Sequence, residues 1–167
     1  MIDFGSYKTE SLPGVKIKIV HGTLAGNKKN AVGVDPGVNF GMTVIDGPKV
    51  TAMWGKLKST KTPGLKGIEA YDLMRLSTFL WDWEVPVTAV VEGAAYSKYH
   101  KQVELEEVRF GFYLALHHLG FKVHILPPAT IRKMVFGAGR TQAGDVYVKL
   151  NHNAADSVGA ALAALEL

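Results

Sequence analysis

The chain has 167 residues, of which 47% are hydrophobic and 20% are charged, so it is large enough to bury the core of one domain. It has no cysteine, which excludes disulfides and thiolate metal sites and leaves carboxylate, imidazole and amide groups as metal ligands. The 19 Lys and Arg residues outnumber the 15 Asp and Glu residues, and the net charge of +4 favours a polyanionic partner such as a nucleic acid.

The sequence shows no pattern of a membrane segment. Its apolar runs fall short of the roughly 20 residues that cross a bilayer. The opening Met1-Ile2-Asp3 does not begin a signal peptide with a basic start and an apolar centre. We therefore expect a soluble, cytoplasmic protein that makes no contact with a membrane.

The N-terminal part of the chain differs from the rest. Residues 1–29 are heterogeneous and are expected to form an extension, in which residues 15–20 alternate like an edge strand. The main domain is expected at residues 30–167. Three short apolar runs at hairpin-like intervals predict three antiparallel strands. These runs lie at residues 31–34, 41–45 and 50–54.

Helices and strands alternate in the remainder of the chain. Apolar residues at helical spacing predict a helix over about 64–83, and the almost continuous apolar run at 87–91 predicts a strand buried on both faces. Another strand is expected at 122–126, and further helices are expected at 127–137 and 153–167. This order predicts an α/β fold whose mixed sheet has three antiparallel strands followed by parallel ones.

Residues 101–119 are predicted to form a helix with an unusually wide apolar arc. One stripe begins at Leu105, and a second stripe beside it includes Phe110 and Tyr113. A helix that is apolar over so wide an arc needs two packing partners. Because Gly111 permits two helices to approach closely, the pattern favours a homodimer formed through this helix.

Three acidic residues stand where a regular element meets a loop. Asp35 ends the first strand of the main domain, Glu92 ends the buried strand, and Asp156 lies in the first turn of the terminal helix. Such positions can converge at one edge of an α/β sheet, and converging carboxylates repel one another unless cations lie between them. Two divalent ions held there would activate a water and stabilise the leaving oxygen of a phosphodiester.

Each of these acids also has a structural interpretation. Asp35-Pro36-Gly37 has the composition of a turn, and Glu92 taken alone is an acid at a strand end. Asn153 and Asp156 have the spacing of a helix cap, in which a side chain at the helix start and an acid three residues on bind free amides. The occurrence of all three acids, in this order and on these elements, favours a polynuclear metal site.

The motifs around the acids resemble those of RuvC-type Holliday-junction resolvases. Gly33-Val34-Asp35-Pro36-Gly37 is similar to the opening strand motif of that family, and Val90-Val91-Glu92 resembles its second acidic strand. His152-Asn153-Ala154-Ala155-Asp156-Ser157 resembles its terminal acidic helix, and Gly137-Ala138-Gly139-Arg140 resembles its glycine-containing loop. The resemblance spans roughly residues 30–165.

This resemblance implies a ribonuclease H-like fold with helices on both faces of the mixed sheet. It also implies a homodimer in the cytoplasm of a bacterial or phage-infected cell, which places paired symmetric nicks across four-way junction DNA. Two Mg²⁺ or Mn²⁺ ions would serve each active site, and Glu92 would also help to orient the attacking water. The residues assigned in this way to catalysis and metal binding are Asp35, Glu92, Asn153 and Asp156.

The chain departs from the family pattern at two places. The family carries Asp or His three residues before the last aspartate, where this chain has Asn153. An amide binds a hard cation through its oxygen but is neutral. Three explanations are open: a natively weakened site, substitution by His152, or replacement of an Asp, which we favour. The lysine expected a few residues after Gly139 is missing, and Arg140 is a candidate to compensate for it.

The loop after Glu92 mixes aromatic rings and cations beside the predicted metal site. Rings stack on bases exposed at a branch point, and lysines neutralise phosphates. In the family an aromatic residue of this loop helps to open the junction, and Tyr96 is the nearest match. The residues predicted to bind DNA are Tyr96, Lys98, Tyr99, Lys101 and Arg140, and the cations that would extend this track are Lys56, Lys58, Lys61, Arg132 and Lys133.

Two other functions remain open. Asn153 would suit a catalytically weak module that binds junctions without cutting them. A ribonuclease H that acts on RNA–DNA hybrids would share the fold and the acids. The wide apolar arc of helix 101–119 argues against this second alternative, because it favours the dimer that a symmetric junction requires and a hybrid nuclease does not.

Overall fold

The computed structural model describes residues 1–5, 10–11, 17–58, 64–78, 87–93 and 102–167. The strands of these residues are β1 (Glu10–Ser11), β2 (Ile17–Thr23), β3 (Asn30–Asp35), β4 (Asn39–Asp46), β5 (Lys49–Lys56), β6 (Thr88–Glu92) and β7 (Lys122–Leu126). Their helices are α1 (Leu65–Thr78), α2 (Gln102–His118), α3 (Pro128–Phe136), α4 (Ala143–Val146) and α5 (His152–Leu165). The short helix α4 was not expected. The last part of the first predicted helix, residues 79–83, lies outside the described residues.

The described strands form one mixed sheet in the order β1-β2-β5-β4-β3-β6-β7. Strands β3, β4 and β5 pair antiparallel, whereas β6 pairs parallel with β3, and β7 pairs parallel with β6. The centre of β6 is buried, as its continuous apolar run predicts. The predicted order of antiparallel strands followed by parallel strands is therefore confirmed.

The N-terminal segment contributes to the same sheet. Strand β2 pairs antiparallel with β5 along its whole length, and β1 pairs with β2. Ile19 and Val20 of β2 are buried in the clusters on opposite faces of the sheet, and Ile2 is also buried. The division into an extension at 1–29 and a main domain at 30–167 stays a prediction.

Helices cover both faces of the sheet, as predicted. Val32 and Val34 of β3 pack in one cluster with α1 and α2, whereas Ala31 packs in another with α3, α4 and α5. This alternation follows from the pleat of the strand, which points successive side chains to opposite faces. Of the helices described, none has the length and apolar character needed to span a membrane.

Helix α2 finds a second packing partner within the chain. Val108 and Phe112 are buried in the core cluster between α2 and the sheet, and α2 also packs on α1. A side chain at Gly111 would overlap the carbonyl group of Gly67 in α1. We expected Gly111 to allow close contact with a second copy of the chain. This was wrong, because its close partner is Gly67 of α1 in the same chain. Phe110 is left 60% exposed.

Helix α5 lies directly on the backbone of β3 and β4. A Cβ atom on Gly33 would overlap the backbone of α5, and one on Gly41 would overlap the carbonyl group of Asn153. The hydroxyl groups of Thr43 and Ser157 share a buried hydrogen bond of 2.8 Å. This hydrogen bond and the two glycine contacts fix the position of α5 along the strands.

We expect Gly33→Ala to lower the free energy of unfolding by about 3 kcal/mol, at the upper end of the range for overpacking, because the neighbouring backbone cannot rotate away as a side chain would. Chemical denaturation measures the difference. Gly144→Ala is the control, since a Cβ atom there meets no atom within 4 Å and removes chain entropy from the unfolded state. Equal effects of the two substitutions would contradict the close packing of α5.

Candidate active site

Asp35 and Glu92 end two adjacent parallel strands. Strands β3 and β6 pair in a register that sets Val34 beside Val91, and the next step of this register sets Asp35 beside Glu92. Neighbouring strands lie about 4.8 Å apart. Since Val34 and Val91 both point into the cluster with α1 and α2, the two acids point to the opposite face, which α5 covers.

The first turn of α5 lies over the same edge of the sheet. Gly41 of β4 is the cross-strand partner of Asp35, and the carbonyl group of Asn153 fills the space above Gly41. Asp156 follows Asn153 by about one helical turn and lies on the same side of α5. Acids from β3, β6 and α5 therefore lie at one edge of the sheet.

The electrostatics of the three acids reflect this proximity. Burial, followed by the charges of Glu92 and Asp156, raises the pKa of Asp35 well above its ordinary value. Burial and the charge of Asp156 raise the pKa of Glu92 to about 7. The pKa of Asp156 is also raised, chiefly by burial. Burial, joined at Asp35 and Glu92 by repulsion from the neighbouring acids, makes this group costly to ionise.

Cations from three helices partly offset this repulsion. Arg109 of α2 lowers the pKa of both Asp35 and Glu92, although burial has the larger and opposite effect on each. Arg132 of α3 acts in the same direction on Glu92 and Asp156. His152, which is exposed at the start of α5, lowers the pKa of Asp156. The site therefore contains opposing charges, with the acids at its centre.

Asn153 does not cap α5. The cap is Asn151, whose side-chain oxygen accepts a hydrogen bond of 3.0 Å from the backbone N–H of Asn153. The capping interpretation of Asn153 and Asp156 was therefore wrong by two residues. Asn153 lies inside the first turn and is only 8% exposed, so its side chain is available for a role other than capping.

Comparisons with known proteins identify the architecture. No protein-family model and no curated protein matches this chain. The structure of T. thermophilus RuvC in complex with a Holliday junction substrate is similar at a TM-score of 0.62 and 13% identity, over 81% of this chain and 91% of that one. A Thermus thermophilus RuvC structure gives a TM-score of 0.58 and 16% identity, over 80% of this chain and 92% of that one. The chain has a RuvC-type fold.

The donor atoms at this edge of the RuvC-type fold suit a hard divalent cation. Carboxylate and amide oxygens are the ligands that Mg²⁺ and Mn²⁺ prefer, and a cation would relieve the repulsion among the acids. Among the described residues, however, no group of three or more His, Asp and Glu side chains is arranged to hold a metal ion. The assignment of metal ligands to this edge of the RuvC-type fold therefore stays a prediction.

The residues predicted to bind DNA are only partly described. Tyr96, Lys98, Tyr99 and Lys101 lie outside the described residues, as does Lys61 of the basic track. Arg140 is exposed in the segment that follows α3. Its charge is not among those that act on the pKa values of the acids, whereas that of Arg132 is. Of these two arginines, Arg132 is therefore the one whose charge acts on the acids at this edge of the RuvC-type fold.

Sequence reasoning did not single out Arg109. This residue is 8% exposed and its Nε donates a hydrogen bond of 3.0 Å to the backbone carbonyl of Glu92. The sequence carries a weak signal for it, since a charged residue stands within the apolar arc of helix 101–119 and has an acid, Glu106, three residues before it. That spacing suits an ion pair on one helix face.

The raised pKa of Glu92 predicts a stability that depends on pH. Unfolded Glu92 releases its proton near 4.5 and native Glu92 near 7, so the native state binds more protons between these values. The contribution of Glu92 to the free energy of unfolding must therefore fall as pH rises from 4.5 to 7. In EDTA, Glu92→Gln should stabilise the protein by up to about 3 kcal/mol at pH 8 and by little below pH 5.

Urea denaturation at the two pH values tests this prediction. Glu166→Gln is the control, because Glu166 is exposed at the end of α5 and its substitution should have the same small effect at both pH values. A Glu92→Gln effect that does not change with pH would show that Glu92 is not held in a desolvated, acidic environment.

Proposed function

We propose that this protein is a structure-selective endonuclease that resolves four-way Holliday junctions by metal-dependent hydrolysis of phosphodiester bonds. The observation that carries the proposal is the meeting of Asp35, Glu92 and Asp156 at one sheet edge, where each raised pKa reflects burial and, for Asp35 and Glu92, repulsion by the other acids. The RuvC-type fold supports the same function, since one similar structure is of a RuvC bound to a Holliday junction substrate.

In the proposed mechanism, Asp35, Glu92 and Asp156 would hold two Mg²⁺ or Mn²⁺ ions, and Asn153 would offer its amide oxygen as a further ligand. Bound ions of this kind lower the pKa of a water and stabilise the departing 3′-oxygen. Glu92 orients the attacking water. Arg132 places positive charge beside the acids, where the scissile phosphate would lie.

Binding of the junction would use the segment after Glu92. We propose that Tyr96 stacks on a base at the branch point and that Lys98, Tyr99 and Lys101 contact the adjoining strands. Arg140 would extend this surface from the segment after α3. Because Lys98, Lys101 and Arg140 would contact phosphates, the affinity for junction DNA should fall steeply as the salt concentration rises.

Cleavage of a labelled four-way junction, run beside an RNA–DNA hybrid with and without Mg²⁺, tests the proposed function. We expect paired nicks in the junction that need the metal and no cleavage of the hybrid. Cleavage of the hybrid alone would identify a ribonuclease H. Tight junction binding without nicks under any metal would identify a binding module, the alternative that the neutral side chain of Asn153 favours.

Asn153→Asp should raise the rate of junction cleavage tenfold or more, a gain of about 1.4 kcal/mol per tenfold. A carboxylate at this position adds negative charge beside the ions and should tighten the second metal. Single-turnover cleavage at saturating Mg²⁺ measures the rate, and junction affinity in EDTA should change little.

Two further variants bound the interpretation of this experiment. Adding Asp35→Asn to Asn153→Asp should abolish cutting, because a metal ligand is lost. If Asn153→Asp has no effect and His152→Ala abolishes cleavage, the fourth metal ligand is His152 and not Asn153. His152 lies four residues before Asp156.

We further propose that the protein acts as a homodimer whose contact includes the outer face of α2. Phe110 is 60% exposed, and its ring stacks on that of Tyr113 at a centroid distance of 6.4 Å. Leu65 and Ile68 of the adjacent helix α1 are also exposed. Exposed large apolar groups are frequent where a protein surface binds a partner, and two active sites are needed for paired nicks.

Phe110→Glu should convert the dimer to a monomer that stays folded, since this side chain faces away from the core. Light scattering at micromolar concentration measures the mass, and circular dichroism checks the fold. Phe112→Glu is the matched control: Phe112 is fully buried, so an unpaired charge there should unfold the chain. A wild-type protein that stays monomeric with junction DNA bound would contradict the dimer.

A further inference from the structure

Arg109 links helix α2 to the end of the strand that carries Glu92. Its guanidinium group is almost fully buried, and its Nε lies 3.0 Å from the carbonyl oxygen of Glu92. On the other side, Nη1 forms an ion pair with the carboxylate of Glu106, one turn earlier in α2. The guanidinium uses separate nitrogens for these contacts, which a single ammonium group does not offer.

The carbonyl group of Glu92 needs a donor from outside the sheet, because the neighbouring strand β3 offers none. The N–H of Gly93 donates to Leu126 of β7 over 2.8 Å. The carbonyl of Glu92 belongs to the same peptide unit and points the opposite way, towards β3. In a parallel ladder it would accept from the residue after its partner Asp35. That residue is Pro36, which has no N–H, so Arg109 takes the place of the missing donor.

We infer that Arg109 is a positioning residue, which holds the carboxylate of Glu92 at the sheet edge by binding its backbone from α2. This inference rests on the proposed function for the use that Glu92 makes of its position. A main-chain carbonyl left without a donor would weaken the end of β6. Because the next residue is Gly93, whose backbone has few conformational limits of its own, the hydrogen bond from Arg109 holds the end of β6 in place.

Arg109→Lys tests the inference, because it keeps the positive charge and removes the guanidinium geometry. In metal-free protein, the amide of Gly93 should exchange its hydrogen about tenfold faster, as measured by NMR. The affinity for Mn²⁺, measured by titration calorimetry on the same protein without DNA, should fall by a similar factor. Arg75→Lys is the matched control: Arg75 lies over the ring of Tyr71 in α1, and its change should alter neither value.

The two measurements separate positioning from other roles. A charge-only role or a general contribution to stability would leave Mn²⁺ affinity unchanged in Arg109→Lys at temperatures where it is folded, and that result would overturn the inference. Unchanged exchange at Gly93 would also overturn it. If Arg109→Lys does not fold, Glu106→Gln frees the other end of the guanidinium, and faster exchange at Gly93 is then required.

Failure of the proposed function gives a different result. Wild-type protein that binds no Mn²⁺ would refute metal-dependent cleavage. The rate of amide hydrogen exchange at Gly93, compared between Arg109→Lys and the wild-type protein, would still decide whether Arg109 holds the end of β6.

Discussion

The direct contact of α5 with the backbone of the sheet is the constraint on which the candidate site depends. Gly33 and Gly41 leave no side chain between helix and strands, so the helix lies closer than ordinary packing allows. The hydrogen bond between Thr43 and Ser157 then fixes its position along β3 and β4. As a result, Asp156 lies at the edge of the sheet where β3 ends at Asp35. A helix held off by one larger side chain would lift Asp156 away from the other acids.

The same contact creates an electrostatic cost that the rest of the fold reduces. Acids brought together under a helix lose water as well as gaining like-charged neighbours, and burial is the larger cause of each raised pKa. The charges of Arg109 and Arg132 act on the acids from helices on opposite faces of the sheet, so the two cations do not repel each other on one side. Burial of Arg109 is tolerable because it has both an anionic and a carbonyl partner.

Much of this arrangement follows from local sequence patterns. Apolar runs and helical spacing predicted the strands and most helices, and the ends of two strands predicted that Asp35 and Glu92 would be neighbours. The rest depended on contacts between distant segments. Gly111 signals close approach, but only the fold shows that its partner is α1, at Gly67. Arg109 has its role because Pro36, far away in sequence, lacks a donor. With two asparagines at the start of α5, local spacing could not decide which one is the cap.

Asn153 shows how stability and catalysis make opposite demands on one position. It is buried beside acids that already resist ionisation, and a neutral amide there adds no further repulsion to the metal-free protein. A carboxylate would raise that repulsion and the cost of burial. If the proposed divalent cations bind there, they would reverse the balance, because each added negative ligand would then lie next to a positive charge. The amide therefore favours the fold without metal, whereas a carboxylate favours the metal-loaded state. In the proposed enzyme, the identity of this residue would set how strongly stability depends on the ions that the reaction requires.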